Sequence, residues 1–131
     1  MSLMASMTDE SGRLVGFRCH DGSLLGVRLC GASVELRCRR VDETEVLVVL
    51  NGVGSFAMDR FLEGNIVDSA YLWPVAQAPK LQRQGAVAAF SCEEQFFDRR
   101  NDVSRKNLFV LECSYGATIF ALVSNIDIVD S

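Results

Sequence analysis

The chain has 131 residues, of which 49% are hydrophobic, and a formal net charge of −4 at pH 7. This length suits one domain, and this hydrophobic share excludes a disordered chain. Because binding to nucleic acid or to an anionic membrane surface needs clustered cations, the charge argues against both and favours a partner protein with a basic surface.

The cysteines indicate the cellular compartment. Their number is odd, none are paired with C-x-x-C spacing, and one histidine accompanies them. Zinc sites use closely spaced Cys and His ligands, and secreted disulfide frameworks use even counts. We therefore expect reduced thiols in a cytoplasmic protein with no metal or cofactor. No stretch reaches the ~18 apolar residues of a membrane span, and the N-terminus lacks the pattern of a secretory signal. The cysteines are Cys19, Cys30, Cys38, Cys92 and Cys113.

The N-terminal half predicts strands joined by short turns. Residues 1–11 carry Met at positions 1, 4 and 7 and are expected to be a leader or a disordered N-terminus, with residues 12–131 forming a single β-rich domain. An apolar run at residues 44–50 predicts a strand covered on both faces. The Asp-Gly pair within residues 20–23 is a turn signal. Alternation of apolar and polar residues predicts three more strands, at residues 13–19, 24–30 and 34–39.

The C-terminal half predicts one helix among further strands. Residues 51–55 contain two glycines and predict a bend, and residues 58–62 predict a helical turn. A loop is expected over residues 75–85, and the Ala- and Glu-rich residues 86–99 are expected to form the helix. The predicted strands are residues 66–73, 108–113, 117–124 and 125–130.

These elements predict an α+β fold. It is a mainly antiparallel sheet of six to eight strands, able to curl towards a barrel, with one helix around residues 86–98 packed on it. Such a helix cannot cover both apolar faces of the sheet. The surplus face needs either a curled sheet or a second copy, and the apolar candidate edges at residues 117–123 and 126–129 favour a homodimer.

Four residues are candidates for chemistry: Cys19, His20, Asp21 and Cys113. His20 can act as a general base, and Asp21 lies beside it in sequence. Because neighbours in an extended segment point to opposite faces, the alternative is a turn histidine near solvent. The thiols reach His20 only in a particular strand order. We assign no catalytic, cofactor-binding or metal-binding residue, since the G-x-G at residues 52–54 and the carboxylates of Asp59, Glu63 and Asp68 complete no known motif.

Several turn and core segments are similar to those of a group of small bacterial domains. The chain resembles β-rich domains that include immunity proteins of polymorphic toxin systems, and this resemblance implies a β-rich fold and a protein-binding role. The similar segments are His20-Asp21 at the start of a hairpin, the strand pair of residues 34–50, Gly52-Val53, residues 61–67, residues 108–112 and Ser114-Tyr115-Gly116.

Our leading functional hypothesis is a non-catalytic protein-binding module, because no set of nucleophile, base and orienting group emerges. The alternative is a small-ligand-binding protein or enzyme with a pocket between sheet and helix. Tyr71 and Trp73 share one face of a predicted strand. We interpret them as core, with an exposed recognition surface as the alternative.

Overall fold

The computed structural model describes residues 7–92 and 105–130, which form an eight-stranded antiparallel sheet and one α-helix. The predicted α+β class is confirmed. Within the described residues, no helix has both the length and the apolar character needed to cross a membrane. The strands are β1 (Ser23–Cys30), β2 (Ser33–Arg39), β3 (Glu45–Asn51), β4 (Ser55–Asp59), β5 (Asn65–Pro74), β6 (Asn107–Tyr115), β7 (Thr118–Val123) and β8 (Asn125–Asp130), and the helix is α1 (Lys80–Phe90).

The sheet has the strand order β4-β7-β6-β5-β1-β2-β3-β8. β3 leads into β4 through residues 52–54, and β7 leads into β8 through Ser124, so the chain itself connects the two ends of this order. The sheet is therefore strongly curled. It is not closed into a barrel, because β4 and β8, the strands at the two ends of this order, do not pair with each other. The pairing of β1 with β5 inside the sheet is short, with two residue pairs, Ser23 with Ile66 and Leu24 with Asn65.

Two hydrophobic cores lie on opposite faces of the sheet. The inner face encloses the larger core, to which β3 contributes Val46, Val48 and Leu50. Their neighbours Leu47 and Val49 are only half-buried, so this run is fully buried on one face rather than on both. The second core lies between α1 and the outer face of β5, β6 and β7, and consists of Trp73, Val75, Ala78, Ala86, Leu108, Val110 and Leu122.

The rings of Tyr71 and Trp73 stack with centroids 5.1 Å apart and an interplanar angle of 8°. Trp73 is buried in the second core and Tyr71 packs against that core. The interpretation of these aromatic residues as core is therefore confirmed.

The helix begins earlier than predicted. It runs over Lys80–Phe90, so the expected loop at residues 75–85 is wrong from residue 80 onwards. Pro79 fits just before a first helical turn because that turn has no use for its missing N–H, and the long polar side chains that follow are good helix formers. Ser91 ends the helix in a left-handed conformation with φ 53°. Residues 93–98 of the predicted helix lie outside the described residues.

Two predicted strand or turn assignments are wrong, and so is the candidate sheet edge at residues 117–123. Residues 13–19 form bridges and a turn instead of a strand, because the side chain of Arg40 donates to the carbonyl oxygens of Gly16 and Phe17 that a ladder would otherwise use. The helical turn expected at residues 58–62 is replaced by the end of β4, whose main chain pairs with β7. Since β7 lies between β4 and β6, it is not a sheet edge.

Candidate functional site

Residues 12–21 lie along β5 and contact its main chain near both ends of this segment. Leu14 N–H donates to Ala70 O (2.8 Å), and Leu72 N–H donates to Gly12 O (2.9 Å). Further along, Asp21 N–H donates to Val67 O (2.9 Å). Between these contacts residues 15–20 form turns and irregular structure, and the pairing of β5 with β6 has register shifts between residues 66 and 69. Bulges re-aim side chains and are frequent beside active sites, which makes this segment a candidate.

A cleft of about 290 Å³ lies between the two irregular segments, and we call it the loop cleft. Two of its flanking residues, Arg18 (φ 49°) and Asp21 (φ 64°), have left-handed backbones although neither is glycine. Such conformations are sparsely populated and cluster at functional sites. Its polar lining comes from Asp9, Arg13, Arg18, His20, Asp68 and Ser69, and Cys19 borders it among apolar side chains.

His20 is held at the rim of the loop cleft by Asp68. Its Nδ1 lies 2.9 Å from the main-chain oxygen of Asp68. Because a carbonyl oxygen only accepts, Nδ1 carries a proton, and in the neutral ring the lone pair is on Nε2. The ring is exposed, with 58% of its side-chain surface open to solvent. The lone-pair nitrogen is therefore open to a ligand.

Two carboxylates flank this histidine. Asp21 Oδ1 lies 3.7 Å from Nε2, and Asp68 Oδ1 lies 3.6 Å from Nδ1. The left-handed turn at Asp21 brings it to the ring, although an extended segment would have separated the two. Sequence reasoning did not connect Asp68 with His20. The available signal was a carboxylate inside an otherwise apolar predicted strand.

The candidate Cys19 is buried, borders the loop cleft and belongs to the same inner core as Cys38. The hydrogen bond from Cys38, together with the charges of Arg40 and Arg18, lowers the pKa of Cys19 against the opposing effect of burial. The same hydrogen bond and burial raise the pKa of Cys38.

The remaining candidate, Cys113, lies on β6 opposite Val67. Burial raises its pKa to about 11, so it is a neutral thiol at physiological pH. Cys19 is buried in the inner core, while Nδ1 of His20 lies 2.9 Å from Asp68 O and its Nε2 lies 3.7 Å from Asp21 Oδ1. The structure therefore brings His20 and Asp21 together and places each candidate thiol in a different environment.

The side chain of Arg40 holds the main chain beside the loop cleft in place. Its guanidinium is 6% exposed and donates to Phe17 O (3.0 Å), Gly16 O (3.3 Å) and Asp130 Oδ1 (2.7 Å). A buried cation with three acceptors is an expensive feature to maintain unless all its partners are in place. It fixes the path of residues 16–17 and adds positive charge near Cys19.

A second depression lies on the outer face of β1, β2 and β3, away from α1. It measures about 360 Å³, and its floor is open because Gly26 has no side chain there and no atom lies within 4 Å of an added Cβ. We call it the Gly26 socket. It is lined by Gly26, Val27, Arg28, Glu35, Arg37 and Leu47.

The space between sheet and helix is largely filled by the second core. A depression of about 120 Å³ remains there, beside Ala89 of α1 and Phe120 of β7. Within the described ranges, no group of three or more His, Cys, Asp and Glu side chains is arranged to hold a metal ion. Asp59, for example, accepts a hydrogen bond from Thr118 N–H at 3.0 Å.

No protein-family model matches the chain, and neither a curated protein nor a solved structure shows significant similarity to it. The function is therefore argued from the geometry of its own residues.

Proposed function

We propose that the protein is a non-catalytic module that binds a partner protein through the outer face of β1, β2, β3 and β8. The observation that carries the proposal is the Gly26 socket in the middle of this face. Protein interfaces commonly centre on a pocket that receives an anchoring side chain. The resemblance to immunity-protein-like domains implies the same class of function.

The composition of this face supports the proposal. In the part of the chain that the structure describes, α1 packs on the other half of the sheet and leaves this half without a second layer. Leu47 pairs with Val129, whose side chain is exposed, and with Arg37 on its other side. Apolar residues at the centre with arginines around them are typical of interfaces.

The charges around the socket favour a carboxylate in the partner. Glu45 lies 3.7 Å from the Arg37 guanidinium and 3.9 Å from that of Arg39, so one carboxylate serves two arginines. Arg28 also lines the socket, and its partner across β1 and β2 is Glu35, which lines the socket as well. Arginine binds carboxylates through two parallel hydrogen bonds, which gives both energy and orientation.

The net charge of −4 favours a basic partner at long range, whereas the socket favours a carboxylate at short range. Both conditions are met by a partner that is basic overall and inserts one Asp or Glu side chain between Arg28 and Arg37. The net charge of the whole surface then attracts the partner during approach, and the socket fixes the orientation in which the partner binds.

The test is affinity purification from the native host at physiological salt, with partners identified by mass spectrometry. Gly26→Leu places a side chain in the socket, where a Cβ would meet no atom within 4 Å, and Arg37→Glu reverses the charge at residue 37. Arg60→Glu, in the loop after β4, is the matched control. We expect wild type and Arg60→Glu to recover the same partner, and the two socket variants to lose it. Equal recovery by all four proteins, or by none, contradicts the proposal.

A second candidate function is the binding of a small anionic ligand in the loop cleft. The observation that favours it is the presence of the Arg13 and Arg18 side chains in the lining of one recess. The test is a titration with small carboxylates and phosphate, followed by NMR shifts of the His20 ring. Saturable shifts that Arg13→Ala and Arg18→Ala abolish support this function, and the absence of saturation argues against it.

A further inference from the structure

Within the described residues, one edge of β5 has no partner strand along most of its length. On its other side β5 pairs with β6 from Ile66 to Pro74, whereas β1 pairs with this edge only at Asn65 and Ile66. We call the part of the edge at residues 70–73 the β5 groove. A strand edge of this kind presents main-chain donors and acceptors, and several recognition domains bind extended peptides there.

A short segment of the chain itself occupies the β5 groove. Residues 7–15 turn back on themselves, and we call them the N-terminal hairpin. Its second arm donates from Leu14 N–H to Ala70 O (2.8 Å) and accepts at Gly12 O from Leu72 N–H (2.9 Å). The bridge between this arm and β5 is antiparallel. The groove therefore already binds a peptide segment as an added strand.

The β5 groove selects a particular sequence pattern. Gly12 has a left-handed backbone (φ 87°), and an added Cβ there would lie 2.0 Å from Trp73 Nε1. The same indole nitrogen donates to Ser11 O (2.8 Å). Two residues after the glycine, Leu14 is 4% exposed and packs in the inner core, while Arg13 between them is exposed. The groove thus fits an extended segment with the pattern Gly-x-Leu.

The N-terminal hairpin can leave the groove as a unit, because its internal hydrogen bonds do not involve β5. Val15 N–H, for example, donates to Met7 O (2.9 Å). Leu14 is the only buried side chain of the hairpin, and Met7 is partly buried. A segment with so few buried side chains is expected to open locally, without unfolding of the sheet.

The chain is fixed directly after the hairpin. Arg40 binds Gly16 O at 3.3 Å and Phe17 O at 3.0 Å, and Phe17 is buried. A hairpin fastened so closely to its own sheet has little reach towards the groove of a second copy. The occupant that this geometry favours is an extended segment of another protein.

We propose that the β5 groove binds an extended segment of a partner protein with the pattern Gly-x-Leu, and that the N-terminal hairpin occupies the groove until such a segment displaces it. Ala70 O and Leu72 N–H hold the segment as an added strand, and the Trp73 indole selects its glycine. None of the residues that line the Gly26 socket belongs to this groove, so the two proposals stand independently.

The test uses the full chain with Gly12→Val, which removes the hairpin from the groove through backbone strain and the clash with Trp73. Gly16→Val is the matched control, since the same change there meets no atom within 4 Å. The probe is a synthetic peptide of residues 7–16. The readout is the fluorescence of Trp73, the single tryptophan of the chain.

We expect the emission of Gly12→Val to shift to the red and that of Gly16→Val to match the wild type. The peptide should bind Gly12→Val saturably and reverse the shift. It should bind the wild type and Gly16→Val at least about tenfold more weakly, because the tethered hairpin competes at an effective concentration in the millimolar range. The same peptide carrying Gly12→Val should not bind.

A Gly12→Val protein that is folded by circular dichroism and does not bind the peptide overturns the proposal, as does equal binding of the two peptides. A wild type with twice the light-scattering mass of Gly12→Val would show that the hairpin of a second copy is the occupant, which also overturns it.

Hydrogen exchange of the wild type decides the proposal if Gly12→Val does not fold. We expect the amides of Leu14 and Leu72 to exchange together and well before the amides of β6, because one local opening exposes both. Exchange of these two amides only upon global unfolding would show that the hairpin is a permanent part of the sheet and would overturn the proposal.

Discussion

The guanidinium of Arg40 donates a 2.7 Å hydrogen bond to the carboxylate of Asp130, which lies 90 residues later in the chain. The same side chain also holds the carbonyl oxygens of Gly16 and Phe17. One buried cation thus connects the turn after β2, residues 16–17 and the last strand, β8. The shape of the loop cleft depends on this connection.

We expect Arg40→Ala to destabilise the fold by about 2 to 4 kcal/mol, because it leaves buried carbonyl oxygens without a donor. Asp130→Asn should cost no more than about 1 kcal/mol, since the Asp130 side chain is 61% exposed and its ion pair is screened by water. Urea unfolding of the two variants measures the difference. Equal losses would show that the ion pair, and not the main-chain contacts, is the important part.

Two glycines with left-handed backbones provide a matched pair. Gly64 (φ 80°) has open space where a Cβ would stand, whereas at Gly116 (φ 99°) that Cβ would lie 2.1 Å from Asn65 Oδ1. This buried oxygen accepts the N–H groups of Leu62 and Ala117 at 2.9 and 3.0 Å.

We expect Gly64→Ala to cost about 1 to 2 kcal/mol from backbone strain alone. Gly116→Ala should cost at least about 2 kcal/mol more, because displacing Asn65 leaves buried donors unpaired. Thermal and chemical denaturation of both variants provide the comparison. Similar costs would mean that the Asn65 side chain can move without losing its partners.

Asp9 makes the N-terminal turn sensitive to acid. Its Oδ1 accepts hydrogen bonds from Ser11 Oγ–H, Ser11 N–H and Arg13 N–H, of which the first lowers the pKa of Asp9 most. Since the folded pKa lies below the ordinary value of 3.8, this contribution to stability is complete above that pH. It is lost as the pH falls through the folded pKa.

We expect Asp9→Asn to unfold at a lower temperature than wild type at neutral pH and to approach the wild-type curve in acid. Melting curves over this pH range test the prediction. A difference that does not change with pH would assign the effect to the change of side chain and not to its charge.

We expect the partly buried thiol of Cys113 to make the fold less stable as the pH rises into the alkaline range. Its pKa is raised from 9.0 to about 11 by burial, so between these values the unfolded chain loses a proton that the folded chain keeps. The free energy of unfolding therefore falls as the pH rises through this range. We expect Cys113→Ala to flatten the fall, as measured by urea unfolding at several pH values. An unchanged slope would assign the fall to other groups.

Self-association remains a prediction. Curling of the sheet covers its inner face, but Ile66 and Tyr115 pair across β5 and β6 with both side chains exposed, and exposed Phe61 lies in the adjoining loop. We expect a homodimer through this patch, with a light-scattering mass of twice the 14.4 kDa chain. Tyr115→Glu should give the chain mass, and Leu81→Glu on α1 should leave the dimer intact. A wild-type mass of 14.4 kDa contradicts the prediction.

The local order of the sequence was sufficient to predict most strands. Residues 34–39 and 66–73 lie within or nearly coincide with β2 and β5, because the alternation of apolar and polar residues directly reflects which side of a strand is buried. The helix was placed too late because its exposed residues, such as Leu81, give it no clear apolar stripe. Its start after Pro79 could have been read from the proline itself.

The loop cleft could not be predicted from local pattern. Residues 13–19 alternate like a strand, and the side chain of Arg40, which follows β2, binds the carbonyl oxygens of Gly16 and Phe17. Cys19 and Cys38 both belong to the inner core, which distant segments of the chain build together. Local periodicity records which face of an element is buried. Only the packing of distant segments decides which side chains share that buried space, since those contacts form between residues that no short stretch of sequence contains.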